Sequence, residues 1–480
     1  MADMKRDLIL KVVKALDAVL LAVPFAIAWY GYYATRTVAP FFQKGNWVVI
    51  VLFLILYIFY GNIYNGFLVS WSRISEMVYS QALAAAVSDF IMYIVIWLLT
   101  KYLPNPLPLL TAFLCQIALA ACWFALANRW YFANFPPKRT AVVYDMREGL
   151  DGLLREYGLE RKFDILVTVN IRECLNNIDM LKCMDTVFLS GVHSSDRNII
   201  LKYCIASGIN VYVIPRIGDV IMSGAAHRYI CHLPMLFVGR YNPPPGYLFI
   251  KRVMDVVFSG AALCILSPIL LITACAVKLE DGGSVFYRQK RLTKDGKEFN
   301  ILKFRSMRVD AEKDGIARLS TGADDERVTR VGRFIRKLRV DELPQLFCIL
   351  SGTMTIVGPR PERPEIAAQY EREMPEFRLR LQAKAGLTGY AQVYGKYNTI
   401  PYDKLQLDLM YIAKPSILED LRIMFATVRI LFMAESTEGI AKGQTTAEFL
   451  DGGIKKIQEN AAAKQEIEAL KEFAAGMEKK

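Results

Sequence analysis

The sequence predicts a membrane α/β protein in three parts: a four-helix transmembrane bundle, a Rossmann-like parallel α/β module, and a monotopic α+β domain held to the bilayer by a re-entrant membrane helix. Three observations carry this expectation. Of the 480 residues 54% are apolar, and residues 1–135 gather most of theirs into long runs. Between 139 and 240, short β-branched runs alternate with helical stretches. From 249 onward a further apolar run, interrupted by Ser267-Pro268, leads into a basic block without histidine.

Composition narrows the function classes. The net charge of +12 suits nucleic acid, an anionic membrane face or phosphorylated substrates. Long apolar spans favour the last two, and nucleic acid is not expected as a partner. The nine cysteines form no CxxC pair and the three histidines form no cluster, which argues for a reducing compartment and against structural zinc.

Four spans are expected near 13–33, 47–70, 82–100 and 107–129, each close to the ~20 apolar residues that a bilayer requires. Trp29, Trp47, Trp71, Trp97 and Trp130 lie near span ends. Lys5, Arg6, Lys11 and Lys14 lead the first span and Arg129, Lys138 and Arg139 follow the fourth, which puts both flanks in the cytoplasm. Asp17 and Asp89 fall inside spans, where a carboxylate marks either function or helix pairing.

Strands are expected at 141–144, 163–169, 185–189 and 211–214, separated by helices. No GxGxxG follows the first of them, so the phosphate turn of a dinucleotide site is missing. The module is read as regulatory or dimerising, with a homodimer as the corresponding assembly. His193, His227 and His232 lie here and are read as structural.

The segment Val256 to Val277 is long enough to span, but Pro268 kinks a helix and Ser267 can cap the freed backbone. A single crossing would separate residues 279–480 from cytoplasmic nucleotides. A bent segment returning to the same face keeps them together. Residues 310–326 read as a mobile charged loop, and 441–480 as a charged helical tail.

The chemistry centres on Arg339-Val340-Asp341-Glu342-Leu343-Pro344-Gln345. A basic field precedes it (Lys303, Arg305, Arg333, Arg336 and others) and Gly358-Pro359-Arg360-Pro361 follows. An acidic pair between basic arms suits a phosphate-rich substrate that carries a metal ion. Pro344 fits a first helical turn, which would put Asp341 near an N-cap and a phosphate-attracting helix end; a plain capping role is the bland alternative. Residues 249–480 contain no histidine, so Ser-His and Cys-His mechanisms are excluded within them, and Cys264, Cys275 and Cys348 sit in apolar runs. A carboxylate remains as the nucleophile.

At these residues the chain resembles the bacterial sugar transferase family, the monotopic polyprenyl-phosphate phosphoglycosyl transferases. The resemblance covers 249–440, through Lys251-Arg252-Val253-Met254-Asp255, Ser267-Pro268, Lys303 to Met307, Arg330 to Gln345, Val357 to Pro361 and Gly386 to Gln392. The preceding spans and α/β module look like the long-form members. The resemblance implies that a nucleotide sugar, UDP-linked in the usual case, donates sugar-1-phosphate to undecaprenyl phosphate at the cytoplasmic face of the bacterial inner membrane, to start exopolysaccharide, capsule or O-antigen assembly. Asp341 falls on the family's nucleophile. Glu342 falls on its second acid, and Mg2+ is implied at Asp341 and Glu342. Lys303, Arg305, Arg336 and Arg360 are the implied phosphate contacts. Arg252, Asp255, Ser267 and Pro268 match the residues that shape the re-entrant helix. Two departures stand out: Thr353 and Thr355 replace the acid and serine of the usual Gly-Asp-Met-Ser, and Arg339-Val340 replaces Ser-Leu before the acidic pair. The competing expectation is a non-catalytic scaffold or sensor whose basic surface binds lipid headgroups.

Overall fold

The computed structural model describes residues 2–41, 44–71, 74–145, 147, 149–308, 327–395 and 400–431. The expected mobile loop at 310–326 and the tail at 441–480 lie outside the described residues. The chain divides into two units, Met1–Ile214 and Pro215–Lys480.

The first unit opens with α1 (Ala2–Ala28), prolonged by a π-helical turn over Trp29–Tyr33, then α2 (Lys44–Ile63), α3 (Ile74–Leu99) and α4 (Leu107–Asn134). Arg6 donates to the Pro136 carbonyl and Lys162 to Ser70 Oγ, which gathers the start of α1, the α2–α3 link and the end of α4 at one end of the bundle. At the other end Tyr33 donates to the Asn105 carbonyl at 2.6 Å. Of the expected N-terminal spans, α2, α3 and α4 are long and apolar enough to cross a bilayer. The first expected span is helical but is not among the helices that meet that standard, because Lys11, Lys14 and Asp17 dilute its apolar run. Asp17 is buried and accepts from Gln81 Nε2, whose nitrogen also reaches the Gly66 carbonyl at 3.1 Å. This carboxylate ties α1 to α3, in line with helix pairing.

The rest of the unit alternates as the sequence predicts: β1 (Lys138–Tyr144), α5 (Leu150–Glu156), β2 (Phe163–Asn170), α6 (Ile171–Asn176), β3 (Thr186–Ser190), α7 (Ser194–Ala206) and β4 (Asn210–Val213). The strands form one sheet in the order β2-β1-β3-β4, all parallel. Ala141, Val143, Val187 and Leu189 on the central strands are buried under helix residues Ile171, Cys174, Ile200 and Cys204.

The second unit starts earlier than the proline-rich boundary at 241–246 suggests. Ile217 and Val220 of α8 (Ile217–Ser223) bury their side chains with Leu405, Leu409 and Ile412. A Cβ on Gly224 would lie 2.4 Å from the Ala413 carbonyl oxygen, so this chain stretch is pressed onto the second core. An exposed hairpin, β5 (Ala226–Ile230) with β6 (Leu233–Phe237), turns through Cys231 and His232, both at positive φ.

Then comes α9 (Pro245–Asp281), 37 residues with Pro268 inside, and its apolar surface is long enough to cross a bilayer. The helix continues across Pro268, and Ser267 Oγ donates to the Cys264 carbonyl at 2.8 Å. Both halves pack on the same unit. Ala262 and Leu263 meet Ile349 and Met354, whereas Leu270, Ala274 and Val277 meet Phe304 and Ile335. Between them Ile265, Leu271 and Ile272 are exposed.

The remaining elements are the antiparallel pair β7 (Phe286–Leu292) and β8 (Glu298–Phe304), α10 (Arg330–Lys337), α11 (Gln345–Leu350), β9 (Thr355–Val357), α12 (Pro364–Glu373), β10 (Gly386–Thr388), α13 (Tyr390–Tyr394), α14 (Pro401–Ala413) and α15 (Ile417–Leu431). β9 and β10 pair in parallel.

Candidate active site

Asp341 and Glu342 sit in a single 3-10 turn, Val340–Glu342, wedged between α10 and α11. Arg339 enters it with φ of 54°, a left-handed conformation uncommon for a residue with a side chain. Here the expected helix cap fails. α11 begins at Gln345, with Pro344 at its cap position and no side-chain cap, and runs only six residues. Leu343 and Pro344 complete a separate turn first, so Asp341 does not cap the helix. The positive charge comes from side chains.

Lys303, on β8, places Nζ 2.8 Å from Glu342 Oε1, and Arg360 places Nη2 2.9 Å from the same oxygen. Both bonds are charge-assisted; Lys303 and Glu342 are mostly shielded from water, whereas the Arg360 side chain is 42% exposed. Burial alone would raise the Glu342 carboxyl, but the ammonium of Lys303 and the guanidinium of Arg360 outweigh it and hold that carboxyl well below its usual range. Asp341 goes the other way: burial, then the negative charge of Glu342, push it up to about 6 against the pull of Lys303 and Arg336. One acid of the pair is thus committed to its cationic partners. The other is pushed up to about 6 and keeps no single cationic partner of its own among the side-chain bonds of the described residues.

Three of the four candidate phosphate contacts, Lys303, Arg336 and Arg360, therefore face the acidic pair. Arg305 is buried with its guanidinium packed so tightly on Gly283 that a Cβ there would lie within 1.9 Å of it.

The loop carrying Arg360 is braced from two sides, by Arg291 of the upstream basic field and by Arg380, which sequence reasoning did not single out. Arg291 Nη1 donates to the Pro361 carbonyl at 3.0 Å, and Arg380 Nη2 donates to the Arg360 carbonyl at 2.7 Å. Arg380 is 3% exposed and pairs with buried Asp408 at 2.7 Å. No local pattern in sequence announces such a pair, whose members are on separate elements. The two Gly-punctuated loops meet because β9 and β10 run side by side. A Cβ on Gly386 would fall 2.2 Å from Gly358 N, and one on Gly389 would fall 2.3 Å from Gly358 O.

The membrane helix holds the other side of the site. Arg252 donates Nη1 to the Ile349 carbonyl and Nη2 to the Leu350 carbonyl, each at 2.7 Å. A guanidinium fork thereby closes the end of α11, where free carbonyls carry partial negative charge. Asp255 Oδ1 accepts from Thr355 Oγ1 at 3.0 Å and from Ile356 N at 2.9 Å. A second clamp, Lys251 with Asp420 at 2.8 Å, joins the start of α9 to α15. Ser267 and Pro268 lie in the exposed middle of the helix and take no part in these contacts. Thr353, where an acid was the usual residue, donates its hydroxyl to the Cys348 carbonyl at 2.9 Å and closes the turn after α11.

Among the described residues, no three His, Cys, Asp or Glu side chains converge on a common point. Asp341 and the second oxygen of Glu342 are a pair of hard oxygen donors. That set fits Mg2+, which takes one or two carboxylates and fills its shell from substrate phosphate and water.

Residues 246–434 match the family model described as bacterial sugar transferase. The chain is 39% identical over 234 residues to a UDP-N-acetylgalactosamine-undecaprenyl-phosphate N-acetylgalactosaminephosphotransferase of Aeromonas hydrophila, a match covering 48% of this chain and 54% of that one. It is 36% identical over 231 residues to a UDP-glucose:undecaprenyl-phosphate glucose-1-phosphate transferase of Xanthomonas campestris pv. campestris, covering 46% and 48%. A protein of the same description from Caulobacter vibrioides is 39% identical over 191 residues, 39% of this chain and 71% of its own length. The chain spans about half the length of the first two relatives.

Proposed function

The chain belongs to the bacterial sugar transferase family, and from that premise we propose that it moves a sugar-1-phosphate from a UDP-sugar to undecaprenyl phosphate by way of an ester on Asp341. In the first step an Asp341 carboxylate oxygen attacks the phosphorus bonded to the sugar. The bond to the bridging diphosphate oxygen breaks, and the nucleoside monophosphate leaves with that electron pair. In the second step a phosphate oxygen of undecaprenyl phosphate attacks the phosphorus of the acyl phosphate, and Asp341 is expelled as a carboxylate. The lipid product carries a sugar diphosphate, and the kinetics are ping-pong.

The observation that carries this reading is the contrast within the acidic pair. Glu342 is held ionised by Lys303 and Arg360, whereas Asp341 keeps its proton affinity near neutrality. Lys303, Arg336 and Arg360 are placed to offset charge on the transferring phosphoryl group. Mg2+, held by Asp341 and Glu342, would supply further neutralisation of the diphosphate. Packing of both halves of α9 on one unit supports a re-entrant helix, with the site at the cytoplasmic face of the inner membrane and the product committed to a surface polysaccharide.

The test is Asp341→Asn in the purified full-length protein with radiolabelled UDP-sugar. Wild type should carry label on Asp341 when the lipid acceptor is withheld. The variant should insert into membrane normally, carry no label and form no lipid product. Label on a different residue, or normal turnover by the variant, would overturn the reading.

A further inference from the structure

The first unit holds a cavity of about 340 Å3 at the end of α4, lined by Asn128, Arg129, Phe132, Pro137 and Arg161. Trp130 and Phe132 lie at the close of an apolar helix, where aromatic side chains mark the water boundary of a bilayer. The opening is therefore at headgroup depth. Arg129 and Arg161 are both exposed, and among the described residues neither is paired with a carboxylate.

The surroundings are basic as well. Arg6 donates to the Pro136 carbonyl, one residue from the cavity wall, at 3.0 Å. Lys138 and Lys162 are joined through their backbones, and Lys162 Nζ lies 3.2 Å from the centre of the Trp71 ring. Burial, then the charges of Lys138 and Arg6, push the Lys162 ammonium down to about 7, against a smaller opposing effect of Asp7. The nearby carboxylate of Glu160 is turned to Arg155, 4.0 Å away.

We propose that this cavity binds the phosphate of an anionic membrane lipid, with Arg129 and Arg161 gripping the phosphate oxygens and Phe132 packing on the adjoining apolar part. Two guanidiniums present planar donor forks suited to a phosphodiester. Phosphate carried by a lipid is favoured over phosphate free in solution, because the wall is the end of a spanning helix and one side is aromatic. The bundle would then be seated by a headgroup at the same end that carries the α/β module.

Native mass spectrometry of the full chain, released from phosphatidylcholine nanodiscs doped with phosphatidylglycerol, tests this. Wild type should retain phosphatidylglycerol over phosphatidylcholine. Arg129→Gln with Arg161→Gln should reduce that preference about tenfold or more, since each basic residue near an anionic surface contributes about a factor of five. Arg129→Lys with Arg161→Lys should keep much of it, and both variants should transfer phosphosugar at the wild-type rate, which shows that they fold. Equal retention by wild type and the Gln variant would overturn the proposal. So would loss of the bound lipid to millimolar inorganic phosphate, which would assign the cavity to a free anion.

Discussion

Asp341 and Glu342 share one 3-10 turn and yet hold their protons in opposite ways. Burial and the charge of Glu342 push Asp341 up to about 6, whereas Lys303 and Arg360 hold Glu342 well below its usual range despite burial. In the proposed reaction the carboxylate form of Asp341 is the one nucleophilic enough to attack phosphorus. The rate of the first step should therefore fall as pH drops through the Asp341 value and level off above it. Lys303 draws the proton off Asp341, so Lys303→Met should move the acidic limb to higher pH as well as lower the plateau. Initial rates of nucleoside monophosphate release across the pH range check both. A limb that stays in place in the variant would dissociate Lys303 from Asp341.

Asp255 sits inside α9, and its Oδ1 accepts from both Thr355 Oγ1 and the Ile356 amide, which follow α11. Replacing it by alanine leaves a buried hydroxyl and a backbone N–H without their acceptor. Asp255→Ala should destabilise the second unit by about 2–4 kcal/mol, because two hydrogen bonds to a charged group are lost at once. The same change loosens β9 from α9, and β9 leads directly into the Gly358-Pro359-Arg360-Pro361 turn that reaches Glu342. Thermal unfolding in detergent should show the loss, and transfer should fall at temperatures where the variant is still folded. Asp255→Asn, which keeps an Oδ1 able to take both bonds but loses the charge, should lie between the two.

Much of the second unit could be read in advance because its charges and glycines cluster in sequence. The acidic pair, Lys303, Arg336 and Arg360 declared themselves as charged residues in short motifs, and the structure brings them together. Arg252 and Asp255 did so as well. Three things were not legible. The packing of Ile217 and Val220 on Leu405 and Leu409, nearly two hundred residues away in the chain by numbering, joins the stretch ahead of the proline-rich segment to the second unit and carries no local signal. The hairpin turn at Cys231-His232 uses positive φ without glycine or asparagine, so it carries no turn signature. Arg305 looked like its basic neighbours, and only the closeness of Gly283 shows that it faces the scaffold.

The glycine crossing makes a sharper demand on the chain than any single charge. At Gly386 a methyl group would lie 2.2 Å from Gly358 N and 2.5 Å from Gly358 O, and both contacts are with backbone that cannot rotate aside. Gly386→Ala must part β9 from β10. It should destabilise the unit by about 2–3 kcal/mol through overpacking. Moving Gly358 also moves the start of the Pro359-Arg360-Pro361 turn, so the bond from Arg360 to Glu342 should weaken. Activity in the variant should fall further than the folded fraction does, and measuring both on one sample separates the effects. Gly260, with open space at its Cβ position, is the control, and Gly260→Ala should leave both quantities unchanged.

The course of α9 decides where the chemistry happens. At its start Arg252 and Asp255 are bonded to α11 and β9, and at its end Glu280 accepts from the Arg330 and Val331 amides at the start of α10. All of these partners belong to one unit, so a helix crossing the bilayer once would have to carry its own partners across with it. A helix that dips and returns keeps both sets of bonds within the one unit and offers its exposed middle, Ile265, Ile269, Leu271 and Ile272 among others, to the hydrocarbon. Single cysteines at Asp295 and at Glu373, in a background where the native cysteines are replaced by serine or alanine, should both resist an impermeant maleimide in intact cells. Both should react once the inner membrane is opened. Labelling of either in intact cells would mean that α9 delivers the acidic turn to the outer face, where no nucleotide sugar is available, and would exclude the proposed reaction together with the bent helix.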